Sequence, residues 1–308
     1  MGGHGEPDPG IIDRGSKDGT AGKEEAMRFV GKAVVSAVLL LLATLICFPL
    51  AFAIGGGFSA QWELEKNLGP VLGGTDGMAD WSLLPYAPTL SSLVHLLIDS
   101  PQFFVMFWNS LKIALLILIG QMLFGVPAAW GLARYDFLGK RKILQLYIVL
   151  MLMPFQVLML PQYLVLNGLR LLDTQAAVIL PAIFSTFPVF IIHRFFCGLP
   201  EAVLEAARID GAGELHIFLC IGVPLGAPGI VSALLLGFLE SWNMIEQPMT
   251  FLKTRSLWPL SLFLPEIGLE EAGVGFTAAL LMLIPALLLF LSGQEYLEQG
   301  IAAAAVKE

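Results

Sequence analysis

The stretch EAARIDGAGE, residues 205–214, interrupts a chain that is otherwise strongly apolar. Glu205, Arg208 and Asp210 stand within six residues of sequence, with long apolar runs on both sides. A helix buried in lipid carries such charges only at high cost. The stretch therefore lies outside a bilayer, and the runs that flank it lie within one.

Composition supports that division. Only 14% of the 308 residues are charged and 56% are hydrophobic, with a mean hydropathy of +0.78. An average soluble domain carries about 25% charged residues. The deficit extends along most of the chain, which reads as a polytopic membrane protein rather than one large soluble core. The net charge of -8 offers no basic footprint for nucleic acid. Cys47, Cys197 and Cys220 are scattered at no metal-binding spacing and are expected to be buried free thiols. His4, His95, His193 and His216 are equally dispersed, so neither a metal centre nor a catalytic cluster is expected.

A spanning helix needs roughly 20 apolar residues. Charge-free runs of about that length occur at 33–54, 113–132, 143–169, 174–192, 217–239 and 272–293. The first ends in Ala51-Phe52-Ala53, which resembles a cleavage site, but it exceeds the core of a signal peptide, roughly 7–15 residues. It is expected to be retained as a helix. Lysines and arginines orient the chain. With the N-terminus cytoplasmic, twelve of them fall inside, Lys66, Arg170, Lys253 and Arg255 fall outside, and Lys112 sits at an edge. The expected fold is all-α, with six spans and both termini cytoplasmic. Residues 1–27 are polar and are expected to form a disordered cytoplasmic leader, and 28–308 the transmembrane domain. In the external segment, Leu90, Leu93, Val94 and Leu97 form a helical stripe expected to pack on the membrane face or the bundle. Trp81, Tyr86 and Trp108 suit the membrane interface.

The opening stretch then falls in a cytoplasmic loop, about 198–224. Leu199-Pro200-Glu201 resembles a helix start, with the early Glu suited to the positive helix end. Val203, Leu204, Ala206, Ala207 and Ile209 continue at helical spacing, and Asp210-Gly211 is a stop signal. Ala206 and Ala207 make a narrow ridge beside the carboxylates of Glu205 and Asp210, which suit a cationic partner. A solvated connector is the alternative on these grounds alone.

Glu205-Ala206-Ala207, Gly211, Ile221 and Pro224 resemble the EAA loop of ABC importer permeases. The family spacing is kept throughout, with Val223 where the family usually has Leu. With Leu199-Pro200 before it and Ala212 after Gly211, the loop is similar to the carbohydrate-uptake branch, the maltose-type second permease. Asn109-Ser110-Leu111, Ala133-Arg134-Tyr135, Met153-Pro154, Trp242-Asn243 and the ending from Gly300 to Lys307 extend the likeness. The resemblance implies a type I ABC importer permease fold in a prokaryotic inner membrane. It implies a second permease subunit, two ATPase subunits that hold ATP and Mg, an external solute-binding protein, and a sugar or oligosaccharide as cargo. It assigns the docking of the ATPase to Glu205, Ala206, Ala207, Asp210 and Gly211. The chain contains no GxxxxGK[ST] phosphate loop, so hydrolysis is expected of the partner and no cofactor is expected on this chain.

Polar residues inside spans are costly and often line a pathway. Gln121, Gln156, Gln162, Ser185, Thr186, Ser232, Glu240, Trp242, Asn243 and Glu246 are the candidates. An aromatic ring beside carboxamides and a carboxylate suits a sugar. Helix-to-helix hydrogen bonding is the alternative for each. Pro154 and Pro161, seven apart, are expected on one face of the third span. Gly120, Gly125 and Gly131 favour close helix contact, within the subunit or across a dimer. The rivals are an ABC permease for a non-sugar solute and an ion-coupled secondary transporter.

Overall fold

The computed structural model describes the backbone of Gly2 and of residues 15–73, 77–264 and 268–305. Among the described residues the regular structure is helical, with one isolated bridge between Ser59 and Pro88. Helix α1 spans Gly15–Phe58 and α2 spans Gln61–Leu72. Helix α3, Pro101–Arg134, is continuous but holds a π turn at Gln121–Gly125. Then come α4 (Lys140–Leu152), α5 (Phe155–Gly168), α6 (Ala176–Ile183) and α7 (Thr186–Cys197). The loop helix α8 is Glu201–Ile209. Helices α9 (Glu214–Leu225), α10 (Ala227–Trp242), α11 (Glu246–Phe251) and α12 (Ala272–Ala305) complete the chain.

Four segments among the described residues are long and apolar enough to cross a membrane. They are Gly31–Phe58, Pro101–Arg134, Ala176–Cys197 and Leu269–Tyr296. Two bent pairs bring the number to six. The third and fifth expected spans are thus not straight. The α4–α5 pair turns by 106° at Met153-Pro154, and the α9–α10 pair by 70° at Gly226. Proline disfavours the helical conformation of the residue before it, and Met153 is extended at ψ 125. Pro154 therefore caps α5 while Pro161 lies inside it, so the expectation that they share one face of a single helix does not hold. Of the expected leader, residue 1 and residues 3–14 lie outside the described residues, and the backbone from Gly15 belongs to α1.

Lipid is as apolar as a leucine side chain, so large apolar residues have no need to turn inward. Leu40, Leu45 and Ile46 of α1 are exposed, as are Leu116, Ile119 and Leu123 of α3. The same argument corrects the cysteines: Cys47, Cys197 and Cys220 are free but exposed. It also places the stripe of 90–97. Leu90, Val94 and Leu97 face out, while Leu96 between them is fully buried. Trp81, Tyr86 and Trp108 are likewise exposed.

The bundle is held by small residues at crossings. A Cβ on Gly229 of α10 would stand 2.2 Å from the Phe195 ring of α7, and one on Gly120 of α3 would stand 2.4 Å from Ile183 of α6. A Cβ on Gly125 would stand 3.5 Å from Val189, an ordinary contact, whereas one on Gly131 would meet nothing within 4 Å. The glycine contacts of α3 are therefore made within the subunit at Gly120 and Gly125. Among the described residues, the buried apolar side chains gather in five clusters, two of which matter most here. One joins Trp130, Ile192, Phe196, Leu204, Ile217 and Ile230. The other joins Leu96, Phe103, Met106, Phe238, Trp242 and Val274.

Candidate functional site

The loop helix α8 is a knob with one anchored side. Its inward residue, Leu204, is fully buried with Trp130, Phe196 and Ile217. Complete burial of a leucine is worth about 1.5–3 kcal/mol. Ala207 is partly buried against the same cluster, while Ala206 faces out with Glu205, Ile209 and Asp210. Of the two alanines, one thus serves the chain's own packing. Gly211 holds φ at 84°, a left-handed conformation that a Cβ disfavours, and it turns the chain from α8 toward α9. Ile209 is 85% exposed and Leu215 is 70% exposed, an apolar surface that no described residue covers.

A charged network fixes the knob's angle. Arg134, at the end of α3, donates from Nη1 to Glu201 Oε2 at 2.9 Å. Its Nη2 donates to the carbonyls of Phe196 at 2.5 Å and Leu199 at 3.0 Å. Glu201 Oε1 accepts from Arg208 Nη1 at 3.1 Å, and Arg208 Nε donates to Glu214 Oε1 at 2.9 Å. Tyr135 Oη closes the set on Glu214 at 3.3 Å. The hydrogen bonds that Arg208 donates to Glu214, then to Glu201, hold its guanidinium above its ordinary value. The Arg208 hydrogen bond holds the Glu214 carboxyl below its ordinary value. Sequence reasoning missed Arg134, Glu201 and Glu214 as parts of the site. The signal was Ala133-Arg134-Tyr135, read above as likeness alone. Glu205 takes no part in the network and has no side-chain partner among the described residues.

The polar candidates of the spans divide into two groups. Gln121, Gln162, Ser185, Thr186 and Glu240 line one cavity of about 420 Å³, together with Gln247 of α11. Three interruptions of helical backbone meet there. The π turn of α3 begins at Gln121, the α4–α5 break lies at Met153-Pro154, and the α6–α7 break lies at Phe184-Ser185. Irregular backbone at membrane depth is tolerated where it is buried or lines a cavity, and π turns often mark functional sites. Gln121 Nε2 donates to the Ala182 carbonyl at 3.1 Å, while its buried Oε1 has no partner. A Cβ on Gly237 would stand 2.8 Å from that oxygen, so the glycine leaves it room.

The other candidates lie elsewhere. Trp242 is buried in the core, and its Nε1 donates to the Met282 carbonyl at 3.1 Å. The Ser232 hydroxyl stands 2.7 Å from the carbonyls of both Pro228 and Tyr296 and has one proton to share between them, which brings α10 against α12. Asn243 donates to Leu239 of its own helix. For these three the side-chain contacts are those of helix packing. Gln156 donates to Glu246 Oε1 at 2.6 Å, which ties α5 to α11 beside the cavity. Sequence reasoning missed Gln247, because it lies in the 243–251 segment after the fifth apolar run.

Residues 121–303 match the family model described as "Binding-protein-dependent transport system inner membrane component". The chain is 30% identical over 270 residues to the arabinooligosaccharides transport system permease protein AraQ of Halalkalibacterium halodurans, covering 86% of this chain and 93% of that one. It is 32% identical over 275 residues to the Bacillus subtilis protein of the same name, covering 87% and 93%. The crystal structure of a bacterial ABC transporter that imports the acidic polysaccharide alginate contains a chain that matches with a TM-score of 0.74 at 22% identity. That match covers 88% of this chain and 97% of the other. The fold is that of an ABC importer permease. The chain belongs to the family of binding-protein-dependent transport system inner membrane components and is a multi-pass membrane permease.

Proposed function

We propose that this chain is one of two permease subunits in an ATP-driven importer of a sugar or oligosaccharide. The observation that carries the coupling half of the proposal is the α8 knob. It is an anchored helix with an unpartnered carboxylate at Glu205, an uncovered apolar surface at Ile209 and Leu215, and a required turn at Gly211. A separate ATPase docks there, holds ATP and Mg, and supplies the energy. Glu205 pairs with a cation of that subunit, Ala206 admits close approach, and Asp210 lies beside the turn. Both termini and the knob face the cytoplasm of a prokaryotic cell, in agreement with the distribution of lysine and arginine. A solute-binding protein delivers cargo from outside.

The cargo half rests on the cavity and on the relatives. Free amides and hydroxyls converge in the cavity, as a saccharide requires. Both AraQ relatives are named for arabinooligosaccharides, and the matched crystal structure is that of an alginate importer. These agree on the class of cargo and differ in the sugar.

Affinity purification from the native host tests the docking. Wild type should bring down a soluble ATPase and a second permease. Glu205→Lys and Gly211→Asp should lose the ATPase while retaining the second permease. A wild-type complex that holds no ATPase would sink the importer reading.

A further inference from the structure

We infer that the cavity selects its cargo by charge, accepting neutral or amine-bearing saccharides and excluding anionic ones, with Glu240 as the residue that sets this preference. The inference rests on the saccharide reading above and extends it from a class of cargo to a charge. Among the described residues, no lysine, arginine or histidine lines the cavity. Its polar side chains are the carboxamides of Gln121, Gln162 and Gln247, the hydroxyls of Ser185 and Thr186, the carboxyl of Glu240, and the hydroxyl of Ser241, which is engaged with the carbonyls of Gly237 and Phe238. Gln162, Gln247, Ser185, Thr186 and Glu240 make no side-chain hydrogen bond or ion pair within the described residues. The Gln121 Oε1 atom is buried without a partner. These groups are therefore free to receive a guest, and the buried oxygen leaves an acceptor that a hydroxyl could satisfy.

What they can receive follows from their chemistry. Carboxamides and hydroxyls hydrogen-bond neutral hydroxyl groups in either direction. A guest carboxylate or sulfate would lose water and gain no cation, which disfavours it even beside an uncharged acid. An ionised Glu240 adds direct repulsion, amplified by apolar walls such as Ile117, Phe155 and Val178. The second carboxylate nearby, Glu246, is hydrogen-bonded to Gln156 and adds to the same sign.

The test reads the cavity's charge without requiring knowledge of the cargo. Cys47, Cys197 and Cys220 are replaced by serine in the full chain, purified with its co-purifying subunits into lipid nanodiscs. One cysteine is placed at Thr186 or, separately, at Gln247. Rates of modification by a cationic and an anionic methanethiosulfonate of similar size are compared, each divided by its rate on a free thiol. The cationic reagent should react about tenfold faster or more, and Glu240→Gln should reduce that ratio at least about threefold. A ratio near one, a ratio indifferent to Glu240→Gln, or no reaction with either reagent at either position overturns the proposal. In the assembled importer, a uronate oligomer taken up as fast as its matched neutral oligosaccharide also overturns it. A charge ratio as expected, with no saccharide transported at all, would sink only the saccharide reading.

Discussion

Arg134 Nη1 lies 2.9 Å from Glu201 Oε2 and so ties the last turn of α3 to the first turn of α8. The guanidinium is almost fully enclosed, and its second nitrogen serves two backbone carbonyls at and beyond the end of α7. Arg134→Ala would leave the Leu199 carbonyl unpaired, at about 1–3 kcal/mol for such a group, and the Phe196 carbonyl with only its backbone donors. Arg134→Lys would not restore the site, because an ammonium cannot span three acceptors with a rigid fork. Limited proteolysis of the 198–213 segment should show faster cleavage in both variants, with the greater effect in the alanine one. Equal protection in all three proteins would show that Arg134 does not hold the knob.

Leu204→Ala addresses the same knob from its apolar side. Loss of a fully buried leucine from a packed cluster costs about 2–5 kcal/mol. Thermal unfolding in detergent should occur several degrees lower, and the ATPase should co-purify less well. Ile209→Ala, on the outward side, should leave the unfolding temperature unchanged while weakening ATPase recovery. An unfolding temperature shifted equally by both would contradict the assignment of inner and outer faces.

The glycines of the crossings predict a contrast. Gly229→Ala forces a methyl group into the Phe195 ring and should destabilise by about 1–3 kcal/mol. Gly131→Ala meets nothing within 4 Å and gains helix propensity, so it should be neutral or stabilising by up to about 1 kcal/mol. Detergent melting curves of the two variants should shift in opposite directions or by clearly different amounts.

Asp173 supplies a pH-dependent staple on the opposite side of the chain from the knob. Its backbone is left-handed at φ 59°, and its Oδ1 accepts from the amides of Lys253 and Thr254 at 2.8 Å each. Its Oδ2 accepts from Thr254 Oγ1 at 2.7 Å. The Thr254 hydroxyl and these amides hold the carboxyl below its ordinary value. A depressed carboxyl contributes above its unfolded-state value and loses that contribution as pH falls through the folded value. Hydrogen exchange at the Lys253 and Thr254 amides, corrected for intrinsic rate, should therefore speed up only on acidification below the ordinary carboxylate range. Asp173→Ala should show the faster exchange at every pH. Exchange that is the same in both proteins at neutral pH would rule the staple out.

The sequence carried the apolar segments well, because hydropathy depends on the bilayer and not on neighbours within the fold. It could not carry their shape. Met153-Pro154 announces a break, but the 106° angle depends on how α4 packs on α7 and α5 on α11. Inside and outside were equally hard to read. In a water-soluble domain Leu90, Val94 and Leu97 would be expected to mark a core face; here they are exposed and Leu96 is the buried residue. The knob was legible because its charges and its glycine stand out in an apolar chain. The cavity was half legible, since Gln121 and Ser232 look alike as polar residues in spans. Only the geometry sends one to a void and the other to the carbonyl of Tyr296.

The 70° bend at Gly226 gives the fifth membrane segment the mechanics of a crank. Its short arm, α9, begins beside the knob and is anchored in the same cluster through Ile217. Its long arm, α10, ends near Glu240, fourteen residues beyond the bend or about 21 Å at 1.5 Å per residue. A straight rod pushed at one end would slide along its own axis. A bent one swings, and a rotation of about 10° about Gly226 would sweep the carboxyl end of that arm through about 4 Å. A displacement of the knob, which lies about 20 Å from the same bend, would thus reach the cavity at nearly its own size but turned sideways, the direction that opens or shuts a passage.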